Sequence, residues 1–162
     1  MQLAQLNIAE AKYGTEDARM DGFTGRVDII NAMADRSPGF IWRLTDDDET
    51  DGALSLRMEG QNDYTLVNMS VWADIESLFH FIYKTAHAKV MQGKNDWFNP
   101  MSRNHMVLWW VEDGHIPSMD EAKTKLDAIR AHGPSPEAFD FQTPFSDSGA
   151  PVKTNFPKKD CA

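Results

Sequence analysis

The stretch that decides the fold is Val67-Asn68-Met69-Ser70-Val71-Trp72. Polar Asn68 and Ser70 alternate there with apolar residues, which is typical of a β-strand that buries one face more completely than the other. The stretch runs directly into an amphipathic pattern that starts at Asp74. The sequence therefore predicts a half-polar strand at residues 64–72, followed at once by a helix at residues 74–96.

The predicted helix carries an apolar stripe with a phenol and an imidazole at its edge. Its stripe residues recur at three- and four-residue spacing: Ile75, Phe79, Ile82, Ala86 and Val90. Tyr83 and His87 are four residues apart, so they are expected to stack one turn above the other beside a cleft between helix and sheet. The pKa of an imidazole suits acid–base chemistry, haem or metal ligation, or hydrogen bonding. The alternative is a structural histidine bonded to the backbone or to Tyr83.

The remaining patterns predict three more strands, at residues 3–9, 40–45 and 105–111. A helix is predicted at residues 17–36, with the stripe Met20, Phe23, Val27, Ile30 and Ala34, and it ends at Ser37-Pro38-Gly39. A last helix starts at the capping box Ser118-Met119-Asp120-Glu121 and ends at Gly133-Pro134. Its stripe is Met119, Ala122, Leu126 and Ile129.

The order strand, helix, strand, strand, helix, strand predicts an α+β fold, namely a ferredoxin-like βαββαβ domain with an extra C-terminal helix. We expect the domain to span residues 1–145, including an edge strand between Ala138 and Phe145, and residues 146–162 to form a flexible tail. Helices on one side of the sheet would leave the other side uncovered. The strands are apolar on both faces, so the pattern predicts a homodimer that closes two sheets into a dimeric α/β barrel.

Composition limits the partners. The net charge of −9 argues against binding of nucleic acid, because phosphate contacts need basic residues, and it disfavours anionic membrane surfaces. The single Cys161 cannot form a disulfide within the chain, and neither a signal peptide nor a membrane-length apolar run is visible, so the cytoplasm is the expected location. The acidic run from Asp46 to Asp51 is either a cation site or, as charge runs usually are, a solvated loop.

Polar residues on the predicted strands are the candidate binding groups. Arg43 lies between two apolar residues and is expected either to bind a substrate carboxylate or phenolate or to pair with an acidic neighbour. Asn68 and Ser70 share a face with Trp72, while Gln5 and Asn7 form a second patch. The sequence does not say whether the two patches face the same way. The predicted substrate-binding residues are Arg43, Trp72, Asn68 and Ser70.

A family resemblance rests on motifs that occur together along the chain. They are Ala4-Gln5-Leu6-Asn7, Ser37-Pro38-Gly39-Phe40, Trp42-Arg43-Leu44, Ser70-Val71-Trp72, Tyr83 with His87, Trp97-Phe98, Leu108-Trp109-Trp110-Val111, Gly114-His115 with Pro117, and His132-Gly133-Pro134 followed by Ala138-Phe139. Taken together, these motifs resemble the uncharacterised bacterial family known as domain of unknown function 3291. The resemblance spans roughly residues 3–145.

The resemblance implies a dimeric α/β-barrel fold, whose relatives include antibiotic-biosynthesis and haem-degrading monooxygenases. In the haem degraders an Asn on the first strand, and a Trp and a His on the second helix, carry the chemistry. Asn7 and His87 look like counterparts, whereas Phe81 stands at the position of the Trp. The resemblance therefore implies chemistry that requires no cofactor, with haem as the alternative, and we expect no metal site.

Three hypotheses follow. In the first, the protein is a monooxygenase-like enzyme acting on a hydrophobic or aromatic small molecule. His87 is its base or haem ligand, Tyr83 orients His87, and Asn7 and Arg43 stabilise developing negative charge. In the second, the same pocket belongs to a non-catalytic binding module. In the third, the chain is a structural dimer without a pocket.

Overall fold

The structure is a computed structural model that describes residues 1–45, 64–85 and 87–153. The strands are β1 (Gln2–Ala11), β2 (Phe40–Arg43), β3 (Thr65–Trp72), β4 (Phe98–Asn99) and β5 (Met106–Val111). The helices are α1 (Asp21–Asp35), α2 (Ile75–Lys84), α3 (His87–Met91), α4 (Lys94–Trp97) and α5 (Met119–His132). The acidic run at residues 46–51 lies outside the described residues. No helix of the described ranges has the length and apolar character needed to cross a membrane.

The strands form one antiparallel sheet in the order β2-β3-β1-β5, and β4 pairs with the last residues of β1. This is the strand order of a ferredoxin-like βαββαβ domain, so the predicted α+β fold class is confirmed. Pairing of β1 with β3 places Gln5 opposite Ser70 and Asn7 opposite Asn68. Directly opposed side chains lie on the same side of a sheet.

The two faces of the sheet are covered by different helices. On β1, Ala4, Leu6 and Ile8 belong to an apolar core that includes Ala122, Leu126 and Ile129 of α5. Leu3, on the opposite face, belongs to a core formed with α2 and the end of α1. We call these the α5 face and the α1/α2 face.

The expectation that all helices lie on one side of the sheet is wrong. The C-terminal helix α5 lies on the second face and buries the apolar residues of β5 there, including Val107 and Trp109. The stripe predicted for this helix is the stripe that packs, because Ala122, Leu126 and Ile129 are all buried. The apolar face therefore does not by itself require a second chain, and the homodimer stays a prediction.

The single helix predicted at residues 74–96 is also wrong, because the chain forms three short helices there. Thr85 leaves helical geometry, with φ −110° and ψ −173°. Its hydroxyl donates to the carbonyl of Phe81 at 2.6 Å and accepts from the backbone N–H of His87 at 3.2 Å. One side chain thus ends α2 and caps the start of α3. The hydroxyl competes with the helical hydrogen bonds that the apolar periodicity favours.

The predicted first helix is present in a shorter form. A 3-10 turn at Ala18–Met20 precedes α1, which ends at Asp35 just before the predicted stop. Gly39 adopts φ +80° and lies so close to Ser77 that a side chain at this position would clash, which accounts for a glycine at the turn.

The chain after α5 returns to the edge of the sheet. Phe139 pairs with Leu108 of β5 through two backbone hydrogen bonds of 2.8 and 2.9 Å, so the predicted edge strand is present as a single bridge. The first residues of the predicted tail turn back on the domain, since the N–H of Val152 bonds to the carbonyl of Pro144 at 2.9 Å. Residues 154–162 lie outside the described residues.

Candidate functional site

The α1/α2 face carries a polar floor formed by Gln5, Asn7, Asn68 and Ser70. The strand register resolves what the sequence left open, because it places both polar patches side by side on this face. Gln5 Nε2 lies 2.6 Å from Asn68 Oδ1 and 3.0 Å from Ser70 Oγ. Trp72 Nε1 donates to the same Ser70 oxygen at 2.8 Å. Trp72, Ser70, Gln5 and Asn68 therefore form one hydrogen-bonded chain across two central strands.

This network leaves polar groups without protein partners. Gln5 is only 4% exposed, yet among the described residues one of its two terminal amide atoms has no hydrogen-bond partner. Rotating the amide by 180° exchanges the two atoms and leaves one of them unpaired in either orientation. The amide of Asn7 is half-buried and has no hydrogen-bond partner within the described ranges. Buried polar atoms are rarely left unpaired, so this floor calls for a ligand or bound water.

One residue of the floor is open to solvent. Asn68 is exposed even though it sits on a central strand and on a face that helices cover. Helix α1 shows the reason, because it packs at its two ends. Phe23 joins an apolar cluster around Leu66 and Trp97, whereas Ile30 and Met33 join the cluster around Leu3 and Trp72. The two clusters flank the floor, and α1 spans from one to the other.

The middle of α1 contributes to neither cluster. Val27 belongs to neither cluster, and Ala34 is the only residue of the helix that is fully buried. In the predicted stripe, Met20 and Ala34 are buried, and Phe23, Val27 and Ile30 are half-buried. We call the part of the α1/α2 face that lies over the polar floor, between the two clusters, the cleft.

His87 begins α3 beside the aromatic wall of the cleft. Its ring lies 5.1 Å from that of Phe81, which in turn stacks on Trp72 at 5.2 Å. Trp72 contacts the floor through Ser70. His87 is thus connected to the floor by a continuous series of packed side chains.

The predicted stacking of Tyr83 on His87 is wrong, because the break at Thr85 places the two residues on different helices. The ring of Tyr83 packs against Phe79 at 4.6 Å and Phe141 at 6.0 Å. Phe141 comes from the segment after α5, a neighbour that local spacing could not have indicated. The role of Tyr83 in orienting His87 loses its geometric basis.

A hydrogen bond orients the imidazole of His87, and burial favours its neutral form. Its Nδ1 lies 3.2 Å from the carbonyl of Ile82, so Nδ1 carries the proton of the neutral ring, and Nε2 has no hydrogen-bond partner in the part of the chain that the structure describes. Burial lowers the pKa of His87 below 6.5 and outweighs the bond to Ile82, which acts to raise it. His87 is therefore neutral at pH 7 and able to accept a proton at Nε2.

Arg43 has the acidic partner that was its alternative interpretation. It lies opposite Ser70 at the β2 side of the floor. Its Nε bonds to Asp35 Oδ1 at 2.8 Å, and a second nitrogen lies 3.4 Å from Oδ2. This pair joins the end of α1 to β2, and its two charges cancel at the rim of the cleft.

The cleft does not fit a haem. A haem would lay its apolar macrocycle on the polar floor and leave the amides of Gln5 and Asn7 buried without hydrogen-bond partners, which is costly. Among the described residues no group of three or more His, Cys, Asp or Glu side chains is placed to hold a metal ion.

A separate groove of about 510 Å³ lies between the end of α1 and α2. Its lining comprises Ile29, Ala32, Met33, Arg36, Ser37, Pro38, His80 and Thr85. None of the predicted site residues lines it, and its charged groups, Arg36 and His80, are exposed. The groove therefore lacks the buried, unpaired polar groups that mark the cleft.

The fold and the cleft define a ferredoxin-like protein with a polar site between its helices and its sheet. The chain belongs to the family described as Domain of unknown function (DUF3291), whose model matches residues 2–155. No curated protein is significantly similar to it in sequence.

Solved structures of two other proteins are among those similar to this chain. SnoaB, a cofactor-independent oxygenase from Streptomyces nogalater, is 14% identical with a TM-score of 0.47, over 72% of this chain and 98% of that one. A protein of unknown function from Nitrosomonas europaea is 15% identical with a TM-score of 0.48, over 72% of this chain and 95% of the other.

Proposed function

We propose that this protein binds a small, partly aromatic molecule in the cleft and acts on it as a monooxygenase-like enzyme that needs no cofactor. One observation carries the proposal: the amide of Gln5 is 4% exposed but only half paired among the described residues, and it is bonded to Asn68, which is exposed. An unpaired buried amide costs about 1–3 kcal/mol unless a ligand or water bonds to it. A binding site explains why a stable fold retains this unpaired amide close to solvent.

The chemistry follows from the groups around the cleft. Neutral His87 accepts a proton from an acidic C–H or O–H of the substrate at Nε2. The resulting carbanion or phenolate is stabilised by the amide N–H groups of Asn7 and Asn68. This anion supplies the electrons that reduce O2. A substrate CH2 becomes C=O, and the second oxygen atom leaves as water with the two hydrogens, so atoms and electrons balance.

Trp72 and Phe81 provide the apolar part of the site. Their stacked rings lie at one end of the polar floor and offer a surface for a flat aromatic ligand. Arg43 is less suited to bind an anionic substrate than its sequence suggests, because Asp35 already neutralises it. We assign it instead to holding α1 over the cleft.

A non-catalytic binding module is the second candidate, and the satisfied bonds of Ser70 favour it. Ser70 Oγ accepts from both Trp72 and Gln5, so part of the floor is ordered without any substrate. Such a module needs the floor but not the proton-accepting nitrogen of His87. The two candidates therefore differ in what His87 does.

Native mass spectrometry of the purified protein, compared with its denatured mass, tests the proposal first. An adduct that disappears on denaturation identifies a bound molecule, and the same spectrum reports whether the chain forms the expected homodimer. The released molecule is then incubated with fresh protein and oxygen, and product is followed by a mass increase from 18O2.

Two variants separate the candidates. His87→Gln should retain binding and lose turnover by about 10²–10⁴-fold, the usual contribution of a general base. His80→Gln is the matched control, because His80 is exposed on α2. Full turnover in His87→Gln would rule out the proposed base, whereas binding without any turnover in the unmodified protein would favour the binding module.

A further inference from the structure

The charge of the cleft, as distinct from its shape, indicates which ligands it can hold. The floor consists of three amides and a hydroxyl, namely Gln5, Asn7, Asn68 and Ser70. The guanidinium at its rim, Arg43, is bonded to Asp35. The described part of the floor therefore offers no uncompensated positive charge to an anionic ligand, in a chain whose net charge is −9.

A ligand that enters the cleft already ionised would be poorly stabilised on such a floor, because it lacks the protonated His87 that accompanies an anion formed there by proton transfer. Taking a carboxylate out of water is expensive unless it meets a cation or several aligned donors. The amides of Asn7 and Gln5 present a carbonyl oxygen together with an NH2 group, so each offers an acceptor beside its donors. A carboxylate has only acceptors, and it would face those carbonyl oxygens with no proton to share.

Gln5 is the most constrained member of this set. Its inner amide atom is fixed by Asn68 Oδ1 at 2.6 Å and Ser70 Oγ at 3.0 Å, and its outer amide atom is unpaired among the described residues. Asn68 is exposed and Asn7 half-buried, so water can satisfy both of them more readily than it can satisfy Gln5. Gln5 therefore penalises any ligand head that cannot bond to it.

We infer that the cleft selects an uncharged ligand whose polar head places a hydrogen-bond donor beside an acceptor, and that Gln5 is the residue that selects it. Amides, phenols next to a ketone, and enols belong to this class, and carboxylates and phosphates do not. The inference rests on the proposed function, because it takes the cleft as the binding site. It adds the substrate class and a specificity-determining residue.

The test uses two probes of the same size and shape. 1-Naphthamide is neutral and carries donor and acceptor, whereas 1-naphthoate is its anionic isostere at pH 7. The signal is the indole N–H resonance of Trp72 in 15N-labelled protein, assigned by its absence in Trp72→Phe. This indole is bonded to Ser70, which is bonded to Gln5, so it reports on the floor.

We expect 1-naphthamide to shift the Trp72 resonance in a saturable way and 1-naphthoate to bind at least about tenfold more weakly, since its desolvated charge is not compensated. Gln5→Met should bind 1-naphthamide about 3- to 10-fold more weakly than the unmodified protein does, which is the equivalent of one hydrogen bond. Its preference for 1-naphthamide over 1-naphthoate should shrink. Gln142→Met, the same substitution at an exposed position after α5, serves as the control.

The outcomes separate the inference from the proposed function. Binding of 1-naphthoate that is as tight as that of 1-naphthamide overturns the selection for neutral ligands and leaves the cleft as a site. A preference that survives unchanged in Gln5→Met removes Gln5 as the selecting residue. If neither probe moves the Trp72 resonance, the cleft is not a small-molecule site and both proposals fail. Because the comparison of probes uses the unmodified protein, it holds even if Gln5→Met does not fold.

Discussion

The indole nitrogen of Trp109 donates a 2.8 Å hydrogen bond to Oε1 of Glu121, which joins the buried face of β5 to the first turn of α5. The other carboxylate oxygen lies 2.7 Å from Nε2 of His115. Ser118 caps the helix by accepting from the backbone N–H of Glu121 at 3.2 Å. The carboxylate of the predicted capping box is therefore used to fasten α5 to the sheet.

Replacing Glu121 with Ala should destabilise the protein. The N–H of buried Trp109 would lose its acceptor, at a cost of about 1–3 kcal/mol. Urea unfolding followed by circular dichroism measures the change in the free energy of unfolding. Glu112→Ala is the control, because Glu112 is an exposed carboxylate directly after β5. Equal stability of the two variants would show that the bond contributes nothing.

Acid should weaken the same attachment. Partial burial acts to raise the pKa of Glu121, but hydrogen bonds from His115 and Trp109, with the charges of His115 and Lys125, outweigh it and hold the pKa below 4.5. A carboxyl with a lowered folded-state pKa stabilises the fold above its unfolded pKa, and this contribution is lost as the pH falls through the folded value. Glu121→Gln should therefore flatten the stability profile below pH 4.5. If the stability of Glu121→Gln depends on pH as that of the unmodified protein does, Glu121 is not the source of the loss of stability in acid.

His87 should cause a second loss of stability on acidification, which begins at a higher pH than the loss caused by Glu121. Burial lowers its pKa below 6.5 in the folded protein, so the unfolded chain binds a proton first as the pH falls from that value. Unfolding free energies measured from pH 7.5 to 5 should decline in the unmodified protein and decline less in His87→Gln. The exposed His80→Gln variant should follow the unmodified protein. Parallel curves for His87→Gln and the unmodified protein would mean that the pKa of His87 is the same in the folded and unfolded states.

Thr85→Val should disturb the junction between α2 and α3. The substitution keeps the shape but removes both hydroxyl bonds, to the carbonyl of Phe81 and from the N–H of His87. The loss of such a cap costs about 1 kcal/mol. Faster amide hydrogen exchange at His87 should accompany it, and Thr85→Ser should restore both properties. Slower exchange across residues 84–88 would instead indicate that the two helices had fused.

Leu126→Ala should be more costly, about 2–5 kcal/mol, because Leu126 is fully buried between α5 and the sheet. Its effect should not depend on protein concentration, since the sheet face it covers belongs to its own chain. Thr124→Ala, on the exposed side of α5, should change stability by less than about 0.5 kcal/mol. A loss for Leu126→Ala that diminishes as the protein is concentrated would place this residue in a subunit interface.

The elements that sequence reasoning located correctly are those with local signals. The alternation in β3 and the stripe of Ala122, Leu126 and Ile129 each report which side of an element is apolar. The break at Thr85 was missed because apolar spacing continues through it, although a hydroxyl residue inside a helical pattern is a recognisable cap. Local periodicity does not record competition between a side chain and the backbone.

The candidate site depended on longer-range information. The sequence identified Asn7, Asn68, Ser70 and His87 as polar residues on apolar elements. It could not place Gln5 against Asn68, because that contact is set by the register of strands whose residues are 63 positions apart. It also could not show that α5 covers the second face. The apolar stripe of a helix shows that one side will be buried, but it does not show against which face of the sheet.

The position of β1 has a consequence for how the chain folds during synthesis. The strand is made first, at Gln2–Ala11, but its neighbours β3 and β5 are completed only at Trp72 and Val111. The central strand therefore lacks both neighbours until the chain has been made as far as Val111, and α5, completed at His132, covers the sheet after that. Long-range pairing of this kind slows folding and leaves apolar strands exposed to other nascent chains. A nascent chain that stops before α5 would have a sheet with one uncovered apolar face, and α5 is the helix that covers this face in the complete fold.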